Sequence, residues 1–403
     1  MIIQRALFKT LQDELKNQKI TALTGSRQVG KTTALKHLLR DLPNGRYISF
    51  DSISDLSLFT NNPDLFAEQY IEPYDHLIID EFQYAPEGGR LLKYLYDKLP
   101  GAAKIFISGS SGPDMAIQSL QYLTGRVSLI EAHPISFDEY LAFRDSEKRH
   151  LLNKERDAQD FEQIGNYFSE YLCYGGYPGV IIAEEKEREL ENFINIFLLK
   201  EIREILNYKN HFEFDTLLRH LATRDGQLLN ISSLANDIGI NRNKTKELLS
   251  ILEKTYLLNQ LRPYFSNKTK ELIKSPKTYL TDLGLKNALL RNFNPYHLRQ
   301  DKGAILESFI LSTLIQNGKK PSFWNESNQH EMDFVLEEKG RITGIEVKPT
   351  LTDVKLSPSV KAFINKHNPH TIYIFNHNIR GKEKLGKTEI IFTHYLNIFS
   401  LTF

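Results

Sequence analysis

A single cysteine, Cys173, stands in 403 residues, so no intramolecular disulfide and no cysteine-cluster zinc site is available. The residue reads as a small buried apolar side chain in a protein suited to a reducing cytoplasm. Long apolar runs are also missing, and none approaches the ~18 residues that cross a bilayer. The N-terminus is interrupted by Gln4, Arg5, Lys9, Asp13 and Glu14. Its Ile3, Leu7, Leu11 and Leu15 fall at helical spacing instead, which predicts an amphipathic helix packed on a soluble, cytoplasmic domain with no membrane partner. A dominant charge sign is lacking too, since 51 Lys and Arg face 50 Asp and Glu. Any nucleic-acid footprint must therefore be local. The length exceeds that of one usual domain and predicts a modular chain.

The run Gly25-Ser26-Arg27-Gln28-Val29-Gly30-Lys31-Thr32, followed by Thr33, fills every fixed position of the phosphate-binding pattern G-x-x-x-x-G-K-[ST]. Glycines let successive N–H groups curl around an anion, Lys31 neutralises β- and γ-phosphates, and the Thr32 hydroxyl ligates Mg²⁺. Ile20, Ala22 and Leu23 read as a strand before the loop, and Ala34, Leu35, Leu38 and Leu39 as a helical stripe after it. Strand, glycine turn and helix are the setting that nucleotide binding requires.

Short β-rich runs recur at Tyr47–Asp51, His76–Asp80, Ala103–Ser108 and Val127–Glu131, alternating with helical sequence. The fold class predicted is α/β, a doubly wound parallel-sheet core with ligands at the carboxyl ends of its strands. Leu77-Ile78-Ile79 delivers Asp80 and Glu81 to that edge. Asp80 is expected to hold Mg²⁺ and Glu81 to polarise the water that attacks the γ-phosphate, a carboxylate a small-molecule kinase does not need. Ser110, just beyond the next strand, is the expected orienter of that water, although serines there are also ordinary turn residues. Arg126 has two readings: contact with the γ-phosphate of its own or a neighbouring subunit, which would imply a homo-oligomer, or a surface salt bridge.

GSRQVGKTT from Gly25, LIIDEFQ from Leu77, ISGSS from Ile107, TGRV from Thr124, HPISFDEY from His133 and GGYP from Gly175 together resemble a bacterial and archaeal family of AAA-superfamily ATPases. Members carry a C-terminal region catalogued as a domain of unknown function with a nuclease-like end. The resemblance covers nearly the whole chain and implies ATP hydrolysis through Lys31, Asp80 and Glu81. Where members often carry Arg-Asp after GGYP, this chain reads Lys200-Glu201, which keeps the signs but loses bidentate arginine geometry.

The domains expected are an ATPase core over 1–136, a helical lid over 137–229, a winged helix over 230–290 and a nuclease-like domain over 300–403. In the third, Ser232–Ile238 reads as a helix, Gly239-Ile240 as a turn, and Asn241 as the cap of a second helix running through Thr255. Strands at Leu257–Tyr264 and Lys277–Leu280 make it a winged helix-turn-helix. Arg242, Lys244 and Lys246 open the second helix, and Lys268, Lys270, Lys274 and Lys277 collect along the wing. DNA is the partner this patch predicts, with protein docking as the competing use.

Further on, Glu307 is isolated among apolar residues of a helix over Gly303–Leu314. Asp333 lies in a strand over His330–Leu336, and Glu346 and Lys348 share one face of a strand over Arg341–Lys348. A helix over Ser357–His367 and a strand over Thr371–Phe375 complete a small α/β core. The order D…E-x-K after a helical glutamate resembles the PD-(D/E)xK nucleases. That likeness implies Mg²⁺ on Asp333, Glu346 and Glu307, with Lys348 orienting the attacking water. A nuclease-like domain kept as a non-catalytic scaffold, under a nucleotide-controlled docking switch, is the alternative.

Overall fold

The computed structural model describes residues 2–109, 121–153, 158–198, 211–265, 274–326 and 329–401. Ser110, Lys268, Lys270 and the Lys200-Glu201 pair lie outside the described residues. Two compact units result. The first comprises Met1–Ile135, Tyr177–Gly179 and Ser250–Leu257, and the second comprises Ser136–Gly176, Val180–Leu249 and Leu258–Phe403. The segments expected at 137–229, 230–290 and 300–403 thus fall mainly in the second unit, and two short pieces of them join the first.

In the first unit, strands β1 (Ile20–Thr24), β2 (Gly45–Ser49), β3 (His76–Asp80), β4 (Lys104–Ser108) and β5 (Val127–Glu131) form a parallel sheet in the order β2-β3-β4-β1-β5. β1 is buried at all five positions, as a central parallel strand covered on both faces should be. β4 pairs with β1 on one side and β3 on the other, so the end of β4 lies between the phosphate loop and Asp80. Helices α1 (Ala6–Glu14), α2 (Lys31–Arg40), α3 (Ile53–Asn61), α4 (Pro63–Tyr70) and α5 (Gly88–Lys98) connect and cover the strands. Phe50, Phe59, Phe66 and Phe82 pack ring on ring at 5.0–6.0 Å in the core beside β3.

The second unit begins with α6 (Phe137–Arg144), opened by a complete capping box of Ser136 and Glu139. It continues with α7 (Ala158–Tyr174), α8 (Lys186–Asn192) and α9 (His211–Thr223). Helix α10 (Ile231–Ile238) starts at Asn230, whose side chain accepts the N–H groups of Ser232 and Ser233, and stops at Gly239 with φ 73°. Helix α11 (Arg242–Lys254) starts where Asn241 accepts the Lys244 N–H at 2.8 Å. β6 (Leu258–Leu261) and β7 (Lys277–Leu280) pair antiparallel behind it. After α12 (Leu283–Leu290) and α13 (Lys302–Gln316) comes a six-stranded mixed sheet ordered β12-β13-β11-β10-β9-β8. Its strands are β8 (Ser322–Glu326), β9 (His330–Glu338), β10 (Arg341–Val347), β11 (Thr371–Asn376), β12 (Gly381–Leu385) and β13 (Thr388–His394), with α14 (Pro358–His367) against β9. β8, β12 and β13 go beyond the small core expected from sequence. The Lys-Glu-Lys run of β12 is exposed and reads as a polar loop because charge is what protects a sheet edge.

Candidate functional site

The end of β1 feeds the phosphate loop. Gly25 adopts φ 139°, and a Cβ there would lie 2.2 Å from the carbonyl oxygen of Ala132, so only glycine fits. Gln28 (φ 61°) and Gly30 (φ 91°) complete the curl before α2 begins at Lys31. The Lys31 ammonium donates to the carbonyls of Gly25 at 2.9 Å and Ser26 at 2.8 Å, which holds it over the loop's mouth. Arg27 is half-buried and Thr33 exposed.

Asp80, at the carboxyl end of β3 and 2 % exposed, is the hub of the site. Its Oδ2 accepts the hydroxyls of Thr32 at 2.6 Å and Tyr47 at 2.9 Å. Its Oδ1 accepts Ser108 and the Glu81 N–H at 3.0 Å. Burial, then the negative charge of Asp80, raises the Tyr47 phenol above its ordinary value, so Tyr47 stays a donor. Glu81 takes a left-handed backbone at φ 54° and its carboxylate accepts the Gln83 amide. Thr32 and Asp80 therefore meet where a cation on the triphosphate would sit, and their hard oxygen atoms fit Mg²⁺ in kind. One further oxygen neighbour of Asp80 is Ser108 at the end of β4.

Of the two readings of Arg126, the surface salt bridge is the one the structure shows. Arg126 immediately precedes β5, whose register with β1 puts it at the amino ends of the strands, opposite the phosphate loop. There its guanidinium forks onto Asp97 at 2.7 and 3.0 Å. Contact with the phosphates of its own domain is excluded by that placement.

Three side chains outside the phosphate pattern brace the loop within the first unit. Arg5, before α1, donates to the carbonyls of Val29 and His133 at 2.5 Å each. Tyr177 of the GGYP segment lies 3.3 Å from the Ser26 hydroxyl, and Tyr256 donates to Thr24 Oγ1 at 3.0 Å. Burial, with Arg5 adding to it, lowers the His133 imidazole to about 4, so it is neutral at pH 7.

The second unit gathers the predicted acidic residues and adds others. Asp333 and Glu346 are 6 % and 5 % exposed. Asp333 Oδ2 accepts the Val347 N–H at 2.7 Å, and Glu346 Oε1 pairs with Lys348 at 2.8 Å. Glu346 Oε2 is buried without a hydrogen-bond partner. Glu307 accepts the Tyr279 hydroxyl at 3.3 Å. Burial, then the Asp333 carboxylate, pushes both Glu307 and Glu346 well above the usual carboxylate range. Burial opposes the charge on Lys348, but Glu346 and Asp333 outweigh it and hold that ammonium above its ordinary value.

Lys277 belongs here and not to a DNA-facing wing. It is 3 % exposed, pairs with Glu331 and lies 5.5 Å from the Phe323 ring centre. Burial opposes its charge, yet Glu307, Asp333 and Glu331 together hold it protonated above the ordinary lysine value. The metal role expected of Glu307, Asp333 and Glu346 stays a proposal. The donors suit Mg²⁺ in kind and one oxygen is orphaned, but among the described residues no three His, Cys, Asp or Glu form a group that could hold a metal ion. Glu346 Oε1 is directed to Lys348, Asp333 Oδ2 to the Val347 N–H and Glu307 Oε2 to the Tyr279 hydroxyl instead. Of the remaining basic residues expected on DNA, Arg242, Lys246 and Lys274 are exposed, and Lys244 is tied to Glu247 at 3.1 Å.

Comparison with known proteins bears on the first unit: residues 17–141 match the AAA domain. This stretch is similar to AAA-type ATPases. Residues 165–296 and 302–392 match two domains of unknown function, DUF8612 and DUF4143. The chain is 26 % identical to an uncharacterised protein of Mycobacterium tuberculosis, over 87 % of this chain and 75 % of that one. It is 24 % identical to one of Methanocaldococcus jannaschii, over 94 % and 87 %. Among solved structures it is similar to a Walker-type ATPase of Pyrococcus abyssi, at 17 % identity and TM-score 0.47 over 72 % of this chain and 96 % of the other. Among the described residues no helix is long and apolar enough to cross a membrane.

The AAA domain uses Tyr47, Ser108 and Arg5 in ways no motif in the chain announced. Ser108 had a signal, being the last residue of a strand beside the phosphate strand. Tyr177 had one in its place within GGYP. Arg5 and Tyr256 had none, because their partners lie 24 or more residues away in sequence.

Proposed function

We propose that this chain binds Mg²⁺·ATP at the loop of Gly25–Thr33 and hydrolyses it. The observation that carries the reading is the 2.6 Å bond between Thr32 and Asp80, which brings the phosphate loop and the acidic strand end to one point. Bound Mg²⁺ would offset charge on the β- and γ-phosphates. The protein's own groups do the rest. Lys31 would exchange the Gly25 and Ser26 carbonyls for phosphate oxygens, Thr32 and Asp80 would hold the cation, and Glu81 would orient the attacking water on leaving Gln83.

DNA is the partner proposed for the second unit. Exposed Arg242 and Lys246 on α11, with Lys274 before β7, supply a local positive surface in a chain of net charge +1. Two helices about an αL glycine, backed by a two-stranded sheet, support a winged-helix reading. The ring or dimer expected from Arg126 acting in trans loses its argument, because Asp97 already engages that guanidinium. ATP turnover measured alone and with duplex, branched and single-stranded DNA tests the assignment. Stimulation by one form supports it, equal rates remove DNA as the linked partner, and no turnover at all removes the ATPase reading.

A second reading concerns the C-terminal domain. The orphaned Glu346 Oε2 favours occupation of the acidic cluster by a divalent cation, as a PD-(D/E)xK-like nuclease would need. The arrangement of the other oxygen atoms is that of a scaffold. Mg²⁺-dependent cleavage of DNA by the wild type, lost in Lys348→Ala with DNA binding kept, would establish the nuclease. No cleavage at any Mg²⁺ concentration would leave the scaffold.

A further inference from the structure

β7 and β9 present alternate side chains to the same interior. Lys277 and Tyr279, two apart on β7, reach Glu331 and Glu307, while Glu331 and Asp333, two apart on β9, share a face. Glu346 and Lys348 close the cluster at the end of β10. Four carboxyl groups, Glu307, Glu331, Asp333 and Glu346, therefore meet two ammonium groups, Lys277 and Lys348. Oxygen donors outnumber the lysines. The two lysines differ in access, because the Lys348 side chain is 43 % exposed and that of Lys277 is 4 % exposed. Lys348 can meet a substrate. Lys277 is walled in by Phe323 and Glu331 and cannot.

Lys277 also comes from outside the 302–392 match that holds the carboxylates. A segment of the preceding domain thus inserts a positive charge into the acidic interior. We infer that Lys277 is the internal counter-ion of this cluster, a positioning residue whose ammonium competes with a divalent cation for the carboxylates of Glu331, Asp333 and Glu307. This accounts for oxygen donors of the right kind that are nevertheless not gathered as a metal group. It rests on the reading of the cluster as a divalent-cation site. Removing the ammonium takes away one positive charge beside these carboxyl groups, and the pull on a dication rises in a poorly solvated interior.

The test is Mn²⁺ binding to the full-length chain by calorimetry, without nucleotide so that the phosphate loop does not recruit its own cation. Glu346→Gln serves as the control that must weaken the cluster's signal. Lys277→Met keeps the length of the stem and is expected to bind Mn²⁺ about tenfold or more tighter than wild type. Glu331→Gln removes a carboxylate and leaves Lys277 in place, so it is expected to bind more weakly than wild type. Opposite signs in the two variants are the signature, since loss of a merely structural ion pair would weaken both. Unchanged or weaker binding by a folded Lys277→Met overturns the inference while leaving the cation site standing. If that variant does not fold, Glu331→Gln decides, and unchanged or tighter binding overturns it. Absence of Mn²⁺ binding in wild type and both folded variants removes the cation site, and the inference with it.

Discussion

Ser108→Ala is the most discriminating change in the first unit, because Ser108 holds the carboxylate at the hub of the site although no motif assigned it that contact. Ser108 is fully buried at the end of β4 and donates to Asp80 Oδ1. Asp80 keeps three other donors when that hydroxyl is removed: Thr32 and Tyr47 on Oδ2, and the Glu81 N–H on Oδ1. One bond to a charged group is worth about 1.5–3 kcal/mol, which corresponds to roughly 10- to 150-fold in rate if it serves the transition state. The carboxylate does not grip the loop carbonyls that hold Lys31, so nucleotide affinity should change by less than about threefold. The loss should therefore fall on kcat. Phosphate release under saturating Mg²⁺·ATP gives the rate, and displacement of a fluorescent nucleotide gives the affinity. Turnover within about twofold of wild type, in a protein with native thermal stability, would refute Asp80 positioning by Ser108. A fall in affinity with the saturated rate unchanged would place the bond in ground-state binding.

Gly25→Ala should abolish measurable nucleotide binding in titration, since its Cβ would meet the Ala132 carbonyl at 2.2 Å in a backbone conformation other residues avoid; retained binding would mean that the loop can move aside. Arg126→Ala should leave turnover within about twofold, because its guanidinium serves Asp97 at the opposite edge, and a tenfold loss would revive an intersubunit role. Neutralising Arg242 and Lys246 together should reduce the slope of log affinity for duplex DNA against log salt by about two, and an unchanged slope would move the DNA surface elsewhere. Asp282 is fully buried, and burial lifts its carboxyl to about 6 despite N–H donors from Gly176, Leu285 and Gly284. Its folded form holds the proton longer than the unfolded chain does. The stability it contributes is thus complete below about pH 4 and is lost as pH rises from there through 6. Urea unfolding of wild type and Asp282→Asn across that window should show the decline flattened in the variant.

The chemistry legible in the sequence is the chemistry carried by local spacing. Gly25, Lys31 and Thr32 announce themselves because eight adjacent residues make the whole anion cradle. His76–Asp80 was readable to the residue, because a buried parallel strand is a short apolar run. Lys277 was misread for the complementary reason. A lysine near other lysines reads as a solvated loop, and the alternation of β7 gives two faces without saying which one meets Glu331, 54 residues later. Arg126 follows the same logic, since its spacing to Val127 marks a strand start while its partner Asp97 lies on α5. The nuclease-like order of Glu307, Asp333, Glu346 and Lys348 was visible, but the direction in which each oxygen points depends on donors such as the Val347 N–H and Tyr279 that only packing supplies.

The braces on the phosphate loop bear on how this molecule can be dissected. Tyr177 and Tyr256 lie beyond residue 141, and Arg5 lies before residue 17, so a fragment cut to the borders of the family match sheds all three. Such a fragment keeps every catalytic group and loses the hands that hold Thr24, Ser26 and Val29 in place. Weak activity in that fragment would then describe the cut and not the enzyme. A faithful minimal version of the first unit must be stitched from three stretches of chain, Met1–Ile135, Tyr177–Gly179 and Ser250–Leu257.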